Sequence, residues 1–221
     1  LLRRAGRLPG EIDAVTHPSA ERIVDLYRDK ADDWVRDRGA TLYSGEGGVD
    51  EAIWLDRFAA DLSAGATILD VGCGSGWPVG AALLERGLQV TGVDASPGLI
   101  AHAQATVPMG VWSVGDMRES LPRGPFDGVL AWHSLFHLSP DDQSRVLPAL
   151  AACVAEGGRL MFTSGQAHGE TIGDWRGEPL YHASLGPEAY RALLIDAGLR
   201  VEYDGAETGV WLAERAFLSA K

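Results

Sequence analysis

The sequence predicts an α/β protein built on a doubly wound parallel sheet, and three observations carry that reading. From residue 65 onward, short apolar runs ending in Gly or Asp alternate with stretches of helical period. Ser96-Pro97, Ser139-Pro140 and Gly186-Pro187 each put a capping residue ahead of a proline suited to the first helical position. The 221 residues, with 46% hydrophobic and 23% charged side chains, suffice for one domain with its own core.

Residues 1–18 are expected to be a tail, since Arg3, Arg4 and Arg7 lack the apolar run of a signal peptide. A helical pattern starts at Ser19, with Ile23, Leu26, Tyr27, Trp34 and Val35 near one face and Gly39 as its stop. A loop over Thr41 to Gly48, carrying Tyr43, leads to a second helix at about Asp50 to Leu62. Residues 19–64 therefore read as a helical cap on the same domain as the core, 65–217.

In that core, strands are expected at Thr67–Val71, Gln89–Val93, Val111–Val114, Phe126–Trp132 and Arg159–Thr163, with helices at Pro78–Arg86, Pro97–Thr106 and Pro140–Ala155. Helix Pro187–Ala197 and strands Leu199–Tyr203 and Gly209–Phe217 close the chain. Such alternation indicates a parallel sheet covered by helices. Residues 165–186, rich in Gly and polar groups, show no period and read as an irregular, lid-like insert.

Charge narrows the partners. Nineteen Lys and Arg against 31 Asp and Glu leave a formal charge of -12, a field that repels a phosphate backbone, so no nucleic acid is expected. There is no apolar run of about 18 residues to cross a bilayer, so no membrane partner is expected either. Two cysteines, Cys73 and Cys153, make no disulfide framework and suit a reducing cytoplasm. The expected partner is a small-molecule substrate, met by a monomer or homodimer.

Ile68-Leu69-Asp70-Val71-Gly72-Cys73-Gly74-Ser75-Gly76 is a buried strand running into glycines, where a ligand can approach the backbone. About 22 residues after Gly72, Asp94 ends the next strand, the place where doubly wound folds put a carboxylate on ribose hydroxyls. Loop and acid together point to a nucleoside. A dinucleotide loop reads G-x-G-x-x-G/A, but its third small residue would fall at Trp77, whose indole opposes close helix packing. Asp70 suits a ligand with an ammonium group, which S-adenosylmethionine carries.

The stretches Asp70-Val71-Gly72-Cys73-Gly74-Ser75-Gly76, Gly92-Val93-Asp94-Ala95-Ser96 and Gly115-Asp116-Met117 resemble, in order and spacing, motifs of class I S-adenosylmethionine-dependent methyltransferases. The resemblance covers roughly Ser19 to Phe217. It implies a Rossmann-like, mostly parallel seven-stranded sheet with the last strand antiparallel and an N-terminal helical cap. It also implies that Asp70 and Gly72, Cys73, Gly74 and Gly76 hold the methionine part, Asp94 with Ala95 the ribose, and Asp116 with Met117 the adenine. Trp132 would line the methionine end, and Tyr27 would close over it from the cap.

Methyl transfer is an in-line displacement on an activated carbon, so alignment and water exclusion matter most, and a base helps where the acceptor is a hydroxyl or amine. His133 and His137 leave the end of the fourth strand and are the candidate bases. Tyr43, Gln166, Trp175, Tyr181 and His182, on the cap loop and the insert, are the candidate acceptor contacts. Asp141 and Asp142 fit the first turn of a helix better than a metal site, so no metal is expected. A nicotinamide-dependent oxidoreductase and a non-catalytic S-adenosylmethionine-binding protein are the alternatives on the same fold.

Overall fold

The computed structural model describes residues 17–44 and 49–217. Residues 1–16 of the expected tail and residues 45–48 of the expected cap loop lie outside the described residues. Nine strands are assigned among them: β1 (Thr67–Val71), β2 (Gln89–Asp94), β3 (Val111–Val114), β4 (Phe126–Ala131), β5 (Val154–Thr163), β6 (Gly169–Trp175), β7 (Glu178–Ser184), β8 (Leu199–Tyr203) and β9 (Val210–Arg215). Seven form one sheet in the order β3-β2-β1-β4-β5-β9-β8, parallel except for β9, which runs antiparallel to both neighbours. The sheet is thus the expected one. Strand order reverses between β1 and β4, and crevices at the carboxyl ends of such strands are where open α/β sheets bind ligands.

Helices α4 (Glu51–Ala59), α5 (Val79–Glu85) and α6 (Pro97–Thr106) cover one face, while α7 (Pro140–Ala152) and α8 (Pro187–Asp196) cover the other. Adjacent strand residues therefore feed different cores: Ile68 and Leu130 pack with Phe58 and Leu83, while Leu69 and Val129 pack with Leu147, Phe162 and Trp211. No helix among the described residues is long and apolar enough to cross a membrane.

Three expectations need correction. The single helix from Ser19 to Gly39 is three short ones, α1 (Pro18–Glu21), α2 (Ile23–Asp29) and α3 (Ala31–Arg38), turning at Arg22 and Lys30. The bends carry α2 and α3 over the ends of β1 and β2. Helix α7 ends at Ala152 rather than Ala155, because Val154 pairs with Phe126 and already begins β5.

The insert is also regular. Its strands β6 and β7 form an antiparallel hairpin whose two-residue turn, Arg176-Gly177, has φ of 56° and 81°. Two successive left-handed residues are what a type I′ hairpin turn requires. Arg-Gly lacks the Asn or Asp that would have signalled it.

Candidate active site

The carboxyl ends of β1, β2 and β4 meet under α2 and α3, enclosing a cavity of about 690 Å³ counting its solvent-open space. Gly72, Gly74, Asp94, Ala95, Asp116, Met117, His133 and His137 line it from below, and Ile23, Val24, Tyr27 and Trp34 from the cap above. A smaller adjoining cavity is lined by Asp70, Cys73, Trp77, Trp132 and Arg38.

The glycine loop is shaped by what lies against it. Gly72 and Gly74 have φ of 73° and 56°, and an added Cβ would lie 2.3 Å from the Ser134 Cβ and 2.7 Å from Trp34 Cη2 respectively. Gly74→Ala is therefore expected to lower stability by about 1–2 kcal/mol through left-handed strain and to push Trp34 off the loop. Thermal denaturation and calorimetric titration with S-adenosylhomocysteine would read both effects.

Asp94 accepts from the backbone N–H of Gly74 at 3.0 Å and of Ser96 at 2.8 Å, tying the end of β2 to the loop. Burial still leaves its carboxyl above the ordinary range, against those two donors. Asp70, only 2% exposed, has an oxygen, Oδ2, without any hydrogen-bond partner among the described residues. Burial, with the nearby Asp94 charge, pushes its carboxyl up to about 7. A buried carboxylate with an open oxygen calls for a donor, and an ammonium group supplies charge as well. Asp94 and Asp70 thus present acceptors, suited to hydroxyl and ammonium donors, in two adjoining cavities that share Gly72, Trp34 and His133. These residues fit S-adenosylmethionine.

Asp116 is engaged by Arg118: the guanidinium donates to both its oxygens and the Arg118 backbone N–H donates to Oδ1 as well. Burial acts to raise its pKa, but these bonds outweigh it and hold the carboxyl below the ordinary range.

The two candidate bases differ. His137 is buried, its Nδ1 lies 2.9 Å from the Tyr181 carbonyl oxygen and its Nε2 lies 2.9 Å from the Tyr27 hydroxyl. A carbonyl accepts only, so Nδ1 donates to it and Nε2 accepts from Tyr27. Burial, opposed by that carbonyl and reinforced by His182 and His133, brings its pKa down to about 3.

His133 stands at φ 51°, a left-handed residue at the exit of β4, held there by its N–H donating to Thr163 Oγ1 at 2.8 Å. Its Nε2 faces Glu51 Oε1 at 3.6 Å. Burial lowers its pKa to about 4 against the pull of Glu51, with Arg38 adding to the fall. Both imidazoles are neutral at physiological pH.

Sequence reasoning missed Glu51. This wholly buried carboxylate receives Arg38 Nη2 on both oxygens at 2.8 Å, the Trp132 indole N–H at 2.8 Å and the Tyr43 backbone N–H at 2.7 Å. A signal existed: Glu51 precedes Trp54, Leu55 and Phe58 at helical spacing on the buried face of α4, where an isolated acid needs partners.

The expected acceptor contacts divide. Trp175 stacks on Tyr27 at 6.0 Å, and His182 lies 4.9 Å from His137, both beside the cavity. Tyr181 is wholly buried on the other side of the hairpin, clustered with Ala20 and Ala183, and gives the site only its backbone carbonyl. Gln166 is exposed and donates to the Glu207 carbonyl at 2.5 Å, outside the cavities. The Tyr43 ring is exposed under the Arg38 guanidinium at 4.2 Å, where it secures the cap rather than the cavity.

Comparison with known proteins agrees with this geometry. A family profile described as Methyltransferase domain matches residues 52–203. The chain is 38% identical over 104 residues to the magnesium-protoporphyrin O-methyltransferase of Rhodobacter capsulatus, covering 45% of each. It is 30% identical over 185 residues to the trans-aconitate 2-methyltransferase of Azoarcus sp. (strain BH72), covering 66% of this chain and 72% of that one. The chain spans about half the length of the first curated relatives it matches.

Among solved structures, the 1,6-didemethyltoxoflavin-N1-methyltransferase of Burkholderia thailandensis shares the fold at TM-score 0.65 and 20% identity, covering 93% of both chains. Magnesium protoporphyrin IX methyltransferase from Synechocystis PCC 6803 does so at TM-score 0.62 and 19% identity, covering 93% of this chain and all of that one. The fold, the glycine loop with its two acids and the matched profile agree: the chain belongs to the methyltransferase-domain family, the class I S-adenosylmethionine-dependent methyltransferases.

Proposed function

We propose that this chain transfers the methyl group of S-adenosylmethionine to an oxygen or nitrogen of a small-molecule acceptor, with His133 as the proton-accepting group. The single observation that supports the reading best is the buried, open Oδ2 of Asp70 beside the glycine loop. Bound there, S-adenosylmethionine would supply a methyl group on a positively charged sulfur, already activated for displacement.

The chain's own residues do the rest. Asp70 and Asp94 orient the ligand, Trp34 closes over Gly74, and Ile23, Val24 and Tyr27 exclude water from above. His137 has both nitrogens engaged and serves as a rigid node between cap and hairpin. His133 Nδ1 has no partner among the described residues, while Nε2 is directed at Glu51. It takes the acceptor's proton at Nδ1, and the Glu51 carboxylate favours the cation that results.

Incubating the protein with radiolabelled S-adenosylmethionine and small-molecule extracts identifies an acceptor. With that acceptor, His133→Ala is expected to lower kcat by at least roughly 100-fold. Wild-type turnover by the variant would remove the base assignment and leave transfer by alignment alone.

A further inference from the structure

The wall at the open end of the donor cavity is made of rings. Centroids follow one another at 6.0 Å from Trp175 to Tyr27, 5.3 Å to His137, 4.9 Å to His182, 5.2 Å to Phe136 and 6.0 Å to His133. Register explains the convergence. Thr171 pairs with His182 and Trp175 with Glu178, so by the two-residue alternation of strands these four share one face of the hairpin, the face turned to His137.

Between Phe136 and this face lies a cleft of about 800 Å³ counting its solvent-open space. Gly165 and Gly169 leave its floor free of side chains, and Thr171 and His182 form its flank.

Charge decides what this cleft can hold. The arginines nearest the site are committed: Arg118 to Asp116, Arg38 to Glu51, and Arg176 to Asp37 and Asp33. His133 and His137 are held neutral by burial. Among the described residues, no Lys or Arg lines the cleft, and its one acid, Glu170, pairs with Ala183 and so turns its carboxylate to the Tyr181 face of the hairpin, away from His182. An acceptor with several carboxylates would be desolvated there without a counter-charge, whereas a planar ring gains stacking against Phe136 and His182.

Resting on the methyltransferase reading above, we propose that the cleft between Phe136 and the inner face of the hairpin binds an uncharged planar aromatic or heteroaromatic acceptor. The rings position it by stacking, and a cleft lined by no Lys or Arg among the described residues disfavours an anionic substituent.

The test separates the two readings. S-adenosylhomocysteine binding is measured first by calorimetry, and its absence would sink the methyltransferase reading itself. The saturated protein is then titrated with 2-naphthol, 5-hydroxyindole and 6-aminoquinoline as planar probes and with citrate as a polycarboxylate, read by calorimetry and saturation-transfer NMR.

The planar probes are expected to bind and citrate not to. Phe136→Ala is expected to weaken the planar probes about five-fold, the worth of one aromatic contact. Thr171→Trp, at an exposed β6 position that tolerates a larger side chain without disturbing the fold, should block the cleft with S-adenosylhomocysteine affinity unchanged. Citrate binding more tightly than the planar probes, no planar probe binding, or planar binding indifferent to both substitutions would each overturn the proposal.

Discussion

Asp70→Asn is expected to weaken S-adenosylhomocysteine binding by one to two orders of magnitude, the worth of about 1.5–3 kcal/mol carried by a charge-assisted hydrogen bond. The substitution should also erase a pH dependence. With its carboxyl at about 7 in the free protein, Asp70 is protonated below that pH and must release the proton to hold an ammonium group. Wild-type affinity should therefore climb as pH rises toward 7, by at most roughly ten-fold per pH unit, and then level off. The Asn variant should show no such slope.

The same carboxylate acts on stability with the opposite sign. A folded-state pKa raised above the ordinary 3.8 means that the stability this group supports is full below pH 4 and is lost as pH rises through about 7. The buried charge is then unrelieved at neutral pH, and the ligand-free Asn variant should melt above wild type there. His133 and His137, lowered to about 4 and about 3, do not titrate between pH 7 and 8 and leave that comparison clean. Calorimetric titration from pH 5.5 to 8, with melting curves in the same buffers, checks all of this. A pH-independent wild-type affinity would refute the role given to Asp70.

Glu51→Ala is expected to cost about 3–5 kcal/mol, because it strands a buried guanidinium that has lost its partner. Arg38 has a side chain only 10% exposed, and the Trp132 indole N–H and Tyr43 N–H lose their acceptor at the same time. For a chain of this size the melting temperature should fall by roughly 10 °C. Pairing Glu51→Met with Arg38→Met should recover most of the stability, since apolar replacement of a buried pair is often neutral. It should not recover turnover, because His133 still lacks its carboxylate. A single variant within about 1 kcal/mol of wild type in urea denaturation would show the cluster to be energetically idle.

The sheet was legible in the sequence because strands buried on both faces leave continuous apolar runs, and because glycine and aspartate punctuate their carboxyl ends. The glycine loop and the acid that follows β2 were legible as local chemistry at local spacing, in Gly72, Gly74 and Asp94. What the sequence did not disclose depends on pairing across distance. Val154 belongs to β5 only because Phe126 lies beside it, and the hairpin needed two left-handed residues that Arg176 does not advertise.

The same cause separates His133 from His137. Both follow β4, and only the Tyr181 carbonyl, 44 residues on, together with the Tyr27 hydroxyl, 110 residues back, shows that one imidazole has no lone pair to spare. Tyr181 was misplaced because strand alternation, invisible until the register was known, turns its ring away from the face that carries His182.

The hairpin tip has a bearing on how the protein is assembled. Trp175 Nε1 and the Arg176 guanidinium bond Asp37 across 138 and 139 residues of sequence, while the glycine loop and Asp94 are joined across only 20. Closing the longer loop costs more chain entropy, about 0.6 kcal/mol for each doubling of length, and contacts of that separation form after local ones. A growing polypeptide that has not yet reached Trp175 thus has the cap helices and the glycine loop in hand but lacks the clasp that pins Asp37 of the cap to the hairpin. The join between the first helices and the insert is the last part of this end of the molecule to be secured.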